Sequence, residues 1–330
     1  MLRALAVILV AALLLGGAGF LVVRSYGLPG PLADGRAIVV PHGGIDQIAD
    51  VLAREGVIGN PLSLRLAALA TRGQGALHSA ELYFPAHASL ATVLVVLRTG
   101  KPVQHRFTIP EGLTAAQVAA LLDRAPALEG ETPIPAEGSL LPETYSYELG
   151  TARIAVLDRS RRAMDKALDQ AWATRTPTAA MLTTPRDVLI LASIVERETS
   201  RADERARIAG VFVNRLRRGM KLQSDPTVVY GASGGSGVLD HGITRAELDR
   251  DDPYNTYRIP GLPSGPISMP GLASLKAATQ PWPGDELYFV ADGQGGHLFA
   301  KTEAEHQRNV ARWREVERQR AALPPKPAQN

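Results

Sequence analysis

The run DVLILASIVE ends on Glu196, so eight consecutive residues without charge, Val188 to Val195, deliver a carboxylate at their end. A carboxylic acid held against apolar walls is the arrangement that raises an acid's pKa toward neutrality and suits it to general acid catalysis. On a helix, Leu189, Ala192, Ser193, Glu196 and Ser200 fall on one side. Glu198 is then expected to point elsewhere, among exposed charges. The plainer alternative places Glu196 at a helix exit, paired with one of Arg197, Arg201, Arg205 or Arg215.

The residues downstream weigh on that choice. Asn214, Gln223, Asp225, Thr227, Tyr230, Tyr254, Asn255, Thr256 and Tyr257 follow within one stretch. Amides, hydroxyls and flat aromatics are the side chains that grip sugars. Each taken singly reads as a turn residue or a core tyrosine. As a set, in segments that look loop-like, they suggest a lined groove.

Other chemistries find little support. The seven histidines form no HExxH or other close ligand pair, and there is no cysteine for a thiolate site or a disulfide. No metal and no cofactor is called for. Gly231 to Gly235 matches a nucleophile-elbow pattern, but Gly235-Ser236-Gly237 follows where a helix should start. No phosphate-cradling GxxxxGK[ST] is present. With 36 basic and 33 acidic residues the net charge is +3, which argues against a nucleic-acid binder.

The elements that must position Glu196 can be read from periodicity. Pro185 starts its helix. RIAVLDRSRRAMDKALDQAW before it is a long helix, apolar at Ile154, Leu157, Met164 and Leu168. ERARIAGVFVNRLRRG after it stops at Gly219. From Gln223 to about 300 the chain reads as turns and short strands, and a charged helix closes the fold. Towards the N-terminus, 37–103 reads strand, helix, helix, strand, the size of a small glycan-binding module. A weak echo links AIVVPHGGIDQIADVL to RFTIPEGLTAAQVAALL, matching Pro41 and Gly43 to Pro110 and Gly112, with the following helix one residue out of register.

The first 24 residues carry Arg3 and then no charge from Ala4 to Val23, about the length that spans ~30 Å of hydrocarbon as a helix. The expectation is one uncleaved anchor with a short tail inside and a large domain outside. Ala12 and Gly16 to Gly19 leave a cleavable signal as the alternative. The expected fold is α+β: anchor 1–24, linker 25–36, a βααβ module at 37–105, a larger mixed α/β domain at 106–320, and a tail at 321–330.

Four stretches in order, LASIVERET, AGVFVNRLRRGMKLQSDPTVVYG, DDPYNTYRIPGLPSGPISMPG and LYFVADGQGGHLF, closely resemble the endolytic murein transglycosylase family, also called YceG-like or MltG. The 37–105 module resembles that family's LysM-like subdomain. Ser264 departs from the pattern, standing where the family usually has a second proline. The resemblance implies a single-pass protein of the bacterial inner membrane with its catalytic domain in the periplasm. It implies cleavage of nascent peptidoglycan glycan strands between N-acetylmuramic acid (MurNAc) and N-acetylglucosamine (GlcNAc), leaving a 1,6-anhydro-MurNAc end. It places the catalytic acid on Glu196 and suggests penicillin-binding proteins of wall synthesis as partners. Supporting substrate-binding roles fall to Asn214, Gln223, Asp225, Thr227, Tyr230, Tyr254, Asn255 and Tyr257, with Glu143 as a groove carboxylate. The competing expectation is a non-catalytic peptidoglycan-binding scaffold, which would have no need to bury an acid at the end of an apolar helix.

Overall fold

The computed structural model describes residues 26–321, together with Gly17 and Arg24. The chain divides into two compact units, the described part of Met1–His105 with Ser146–Thr151, and Arg106–Tyr145 with Ala152–Asn330.

In the first unit β1 (Arg36–Val39) leads to α1 (Ile45–Arg54), α2 (Pro61–Ala70), β2 (Glu81–Phe84) and α3 (Leu90–Thr99). The two strands pair antiparallel, with Ile38 opposite Leu82 and Arg36 opposite Phe84. Their period-two alternation sends Ile38, Leu82 and Phe84 into a core completed by Ile48, Leu52, Leu64, Val93, Leu94 and Leu97. Local signals set the helix starts. Asn60 accepts the Leu62 N–H at 2.8 Å ahead of Pro61, and Ser89 accepts that of Thr92 at 3.2 Å. The expected strand–helix–helix–strand order therefore carries a third helix after its second strand.

The chain continues through β3 (His105–Thr108), α4 (Ala115–Asp123), β4 (Leu128–Glu129), β5 (Thr144–Tyr147) and β6 (Thr151–Ala152), of which β3, β5 and β6 straddle the division, to α5 (Arg153–Ala173) in the second unit. There follow α6 (Pro185–Glu198), α7 (Arg205–Arg217), α8 (Asp225–Ala232), α9 (Arg245–Asp249), α10 (Leu272–Thr279), the hairpin β7 (Tyr288–Ala291) and β8 (His297–Ala300), and α11 (Glu303–Ala321). Every sheet among the described residues has two strands. The core is therefore helical. α6 packs against α5, α7, α8 and α10, and its residues Val188, Ile190, Leu191, Ala192, Ser193, Ile194 and Val195 are all buried. A helix apolar all round belongs at the centre of such a cluster. Thr184 and Asp187 form a reciprocal capping box at its start, with Pro185 in the first turn.

The expected architecture of an α+β chain led by a transmembrane helix is corrected. The described residues form a mixed α/β arrangement with eleven α-helices, and no helix among them is long and apolar enough to cross a membrane. The longest, α5 and α11, carry charges throughout. The anchor expected over 1–24 lies outside the described residues apart from Gly17 and Arg24. Two smaller expectations also change. Ile154 lies on the outer face of α5, 49% exposed, while Val156 and Ala167 join Leu157 and Met164 inside. The stretch DPTVVYGA, expected as turn, is the helix α8, begun by Asp225 and Pro226. Gly231 of the nucleophile-elbow pattern thus sits inside a helix, not after a strand.

Candidate active site

Glu196 projects from the last turn of α6 with its side chain 4% exposed. Its Oε1 accepts from Arg205 Nη2 at 3.2 Å and its Oε2 accepts the Gly271 backbone N–H at 2.8 Å. Both contacts follow from the packing of α6. Arg205 opens α7, which lies along α6, and Gly271 caps the start of α10 on another side. The simple expectation of an arginine partner for Glu196 is met by Arg205.

A second carboxylate stands beside this pair. Glu111 follows β3, and its Oε2 lies 3.7 Å from the same Arg205 Nη2. Gly271 has no side chain to separate the two acids: a Cβ there would sit 1.8 Å from Glu111 Oε1. The Glu111 segment is pinned by the Gly112 N–H donating to Met269 O at 2.9 Å and the Met269 N–H donating to Leu113 O at 2.7 Å. Arg197 adds a clamp, donating from Nη1 to Gly112 O at 3.1 Å and from Nη2 to Gly237 O at 3.2 Å. Burial pushes the Glu111 carboxyl up, the Glu196 charge adds to this, and Arg205 opposes it. Glu111 sits between Pro110 and Gly112, the two residues that the internal echo aligns with Pro41 and Gly43. A carboxylate in a Pro-Glu-Gly turn carries no periodic signal.

The other expected site residues separate into distinct settings. Tyr230 donates from its hydroxyl to Glu137 Oε2 at 3.1 Å and lies 4.7 Å, ring to ring, from Tyr254. Burial, followed by the Glu137 charge, pushes the Tyr230 hydroxyl up. Glu137 also caps α4, accepting the Ala115 N–H at 3.0 Å, and Thr114 Oγ1 reaches Ser236 O at 3.4 Å. Residues 112–115 and 235–237 thus tie this aromatic pair to the loops around Glu196. The two rings are half-buried and tilted to each other by 55°.

Asn214 and Asn255 are fully engaged in holding the chain. Asn214 donates to Gly284 O and Glu286 O at 2.9 and 3.0 Å. Asn255, 2% exposed, donates to the carbonyls of Glu247, Leu248 and Arg250 at 3.2, 3.0 and 2.8 Å, closing the end of α9. Thr227 is buried against Ser224 O and the Thr256 hydroxyl. Gln223 is exposed, with φ 51°. Glu143 is exposed, and its backbone carbonyl accepts the Ile109 N–H at 3.0 Å. Ser264, where a proline was expected, keeps its turn through an N–H donated to Pro253 O at 3.1 Å.

Glu198 is a correction. Its carboxylate turns inward and accepts from Ser224 Oγ at 2.5 Å. Asp225, which accepts from Tyr257 Oη at 2.6 Å, lies nearby, as does Arg215, which donates to Leu222 O and Leu287 O at 2.6 and 2.7 Å. Burial raises the Glu198 carboxyl from 4.5 to about 7, with Ser224 opposing, the Asp225 charge adding and Arg215 opposing. Between those values the native protein keeps a proton that the unfolded chain releases, so stability falls as pH rises from about 5 to about 7. Glu198→Gln removes that loss, which is worth roughly 3 kcal/mol. The expected result is a melting temperature close to the parent's at pH 5 and clearly above it at pH 8. Parallel melting curves across that range would contradict the inward placement of this acid.

Two carboxylates sharing one arginine at the end of a buried helix, with the Tyr230–Tyr254 pair tied to the neighbouring loops, define a site suited to acid–base work on a polar substrate. A family model described as the YceG-like family matches residues 38–312, and the chain belongs to that family. The endolytic murein transglycosylase of Streptococcus pneumoniae strain D39 is 35% identical over 202 residues, covering 59% of this chain and 35% of that protein. The protein of the same name from Bacillus subtilis is 33% identical over 174 residues, covering 53% of this chain and 47% of its own length. The matches thus span a third to a half of those relatives. A crystal structure of a yceG-like protein from Listeria monocytogenes superposes with a TM-score of 0.52 at 27% identity, covering 83% of this chain and 98% of that one.

Proposed function

We propose that this protein is an endolytic murein transglycosylase, a lyase that cuts peptidoglycan glycan strands internally between MurNAc and GlcNAc. The observation that carries the reading is Glu196, a carboxyl 4% exposed at the end of an apolar helix, fixed by Arg205 and the Gly271 N–H. The names of the similar proteins support it.

The chemistry needs one acid that acts twice. Protonated Glu196 gives its proton to the glycosidic oxygen as the C1–O bond breaks, leaving an oxocarbenium-like centre. The resulting carboxylate takes the proton from the C6 hydroxyl of the same sugar, whose oxygen closes on C1. The anhydro ring forms, Glu196 is again protonated, and no water is consumed. A glycosidase that hydrolyses needs a second carboxylate to activate water or form a covalent bond. Tyr230 of α8 and Tyr254, whose rings lie 4.7 Å apart, are the aromatic side chains this reading assigns to packing against a sugar face.

The reading also carries a location and partners. Glycan strands are assembled on the outer face of the inner membrane, so the protein is placed there with its second unit in the periplasm, working beside penicillin-binding proteins. Digestion of purified peptidoglycan by the full chain, followed by mass spectrometry, tests the reaction. Internal fragments ending in 1,6-anhydro-MurNAc are expected. Reducing ends would make the protein a hydrolase. Intact strands that remain bound would make it a scaffold.

A further inference from the structure

The Glu196 site contains a group that the reaction above does not use. Arg205 Nη2 stands between two carboxylates, 3.2 Å from Glu196 Oε1 and 3.7 Å from Glu111 Oε2. Arg205 Nε is buried without a hydrogen-bond partner, so one edge of the guanidinium is unengaged. The two acids differ in setting. The Glu196 side chain is 4% exposed, that of Glu111 46%. Glu111 can hold a charge in contact with water, whereas an unpaired charge on Glu196 would be costly.

We infer that Glu111 is a positioning residue that takes over Arg205 when Glu196 carries the proton. The inference rests on the proposed transglycosylase reading and extends it to how the acid is armed. With both carboxylates ionised the three groups sum to one negative charge, and one proton makes them neutral. The buried member is the one whose proton removes the larger desolvation cost. Arg205 then turns its contact to Glu111 and leaves the Glu196 proton free to face the glycosidic oxygen. Without the Glu111 charge, Arg205 and ionised Glu196 already neutralise each other, and the drive to take up a proton is lost. The geometry couples the two acids through Arg205, and in the same sense burial first and the Glu196 charge second push the Glu111 carboxyl up.

Among the described residues, the other charged groups on α6 and on the elements packed on it are held elsewhere or exposed: Glu198 accepts from Ser224, Arg207 of α7 binds Glu286, and Arg217 donates to Asn214. Arg197 is bound to the Gly112 and Gly237 carbonyls, and Arg215 to those of Leu222 and Leu287. On α8, Asp225 pairs with Tyr257, and on α10 Lys276 is exposed. The charged residues of α5 are partly or fully exposed.

The test is the pH–rate profile of strand cleavage for the full-length protein, Glu111→Gln and Glu111→Asp, with Glu196→Gln beside them. The alkaline limb reports loss of the catalytic proton. In Glu111→Gln it is expected to move to lower pH by about one unit, the usual effect of one neighbouring charge. On the alkaline side of the limb the rate then falls by up to about tenfold, and it recovers as pH is lowered. Glu111→Asp keeps the charge and is expected to keep the limb near its parent position. A Glu111→Gln protein with an unmoved limb, whether fully active or uniformly slow at every pH, would overturn the inference. Carboxyl-carbon NMR titration of the parent and Glu111→Gln proteins reads the same shift in Glu196 without turnover. If the parent cuts nothing, the transglycosylase reading fails, while this titration still decides the coupling of the two acids.

Discussion

Glu196→Gln is expected to fold and to lose strand cleavage by about three orders of magnitude or more, since one residue serves as both acid and base. The amide keeps the volume and the polarity but cannot give or take the proton. It also meets two donors, Arg205 Nη2 and the Gly271 N–H, with a single carbonyl oxygen. Its amino group must therefore face one of them, and a mild loss of stability, about 1 kcal/mol, is expected with the inactivity. Circular dichroism and release of soluble fragments from purified peptidoglycan, measured on the same preparation, separate the two effects. A Glu196→Gln protein that still cuts would remove Glu196 from the mechanism.

Arg205→Met is expected to destabilise the second unit strongly. It strips the cation from a carboxylate that is 4% exposed, and breaking a buried pair in this way costs about 3 kcal/mol. The melting temperature should fall by roughly 5–10 °C at pH 8. The loss should shrink toward acid pH, where the orphaned carboxylate can bind a proton instead. Arg245→Met makes the comparison, because the Arg245–Asp249 pair on α9 has side chains 84% and 49% exposed and should be worth under ~0.5 kcal/mol. Combining Arg205→Met with Glu196→Gln should restore much of the stability, since the charge left unpaired is then gone. If the double substitution were as unstable as Arg205→Met alone, packing of the arginine stem would be the cause.

The sequence made the helix around Glu196 legible because its signals are local: Thr184 and Pro185 at the start, an apolar run, and arginines within reach. The inward turn of Glu198 was not. Two residues along a helix rotate a side chain by about 200°, which points away from the Glu196 face. On an amphipathic helix that direction is solvent. On α6, buried on nearly every side, it is a second interior lined by Ser224 and Arg215. Asn255 shows a limit of another kind. An amide among tyrosines reads as a sugar contact, but its three donated bonds close the end of α9. Residue type could not distinguish recognition of a ligand from recognition of the backbone. Glu111 was hidden by distance, since it lies 85 positions before Glu196 and meets it only in the folded chain, through Arg205 and the close approach over Gly271.

The central position of α6 has a mechanical consequence. A helix enclosed by α5, α7, α8 and α10 cannot slide or rotate without disrupting the core on several sides at once. The acid is therefore mounted on the stiffest part of the unit. The turns that carry Glu111, Gly237 and Gly271 are connected to it by a handful of hydrogen bonds. Under the proposed transglycosylase reading, any adjustment to a bound glycan strand is expected to fall on those turns and to leave the acid's helical mount in place.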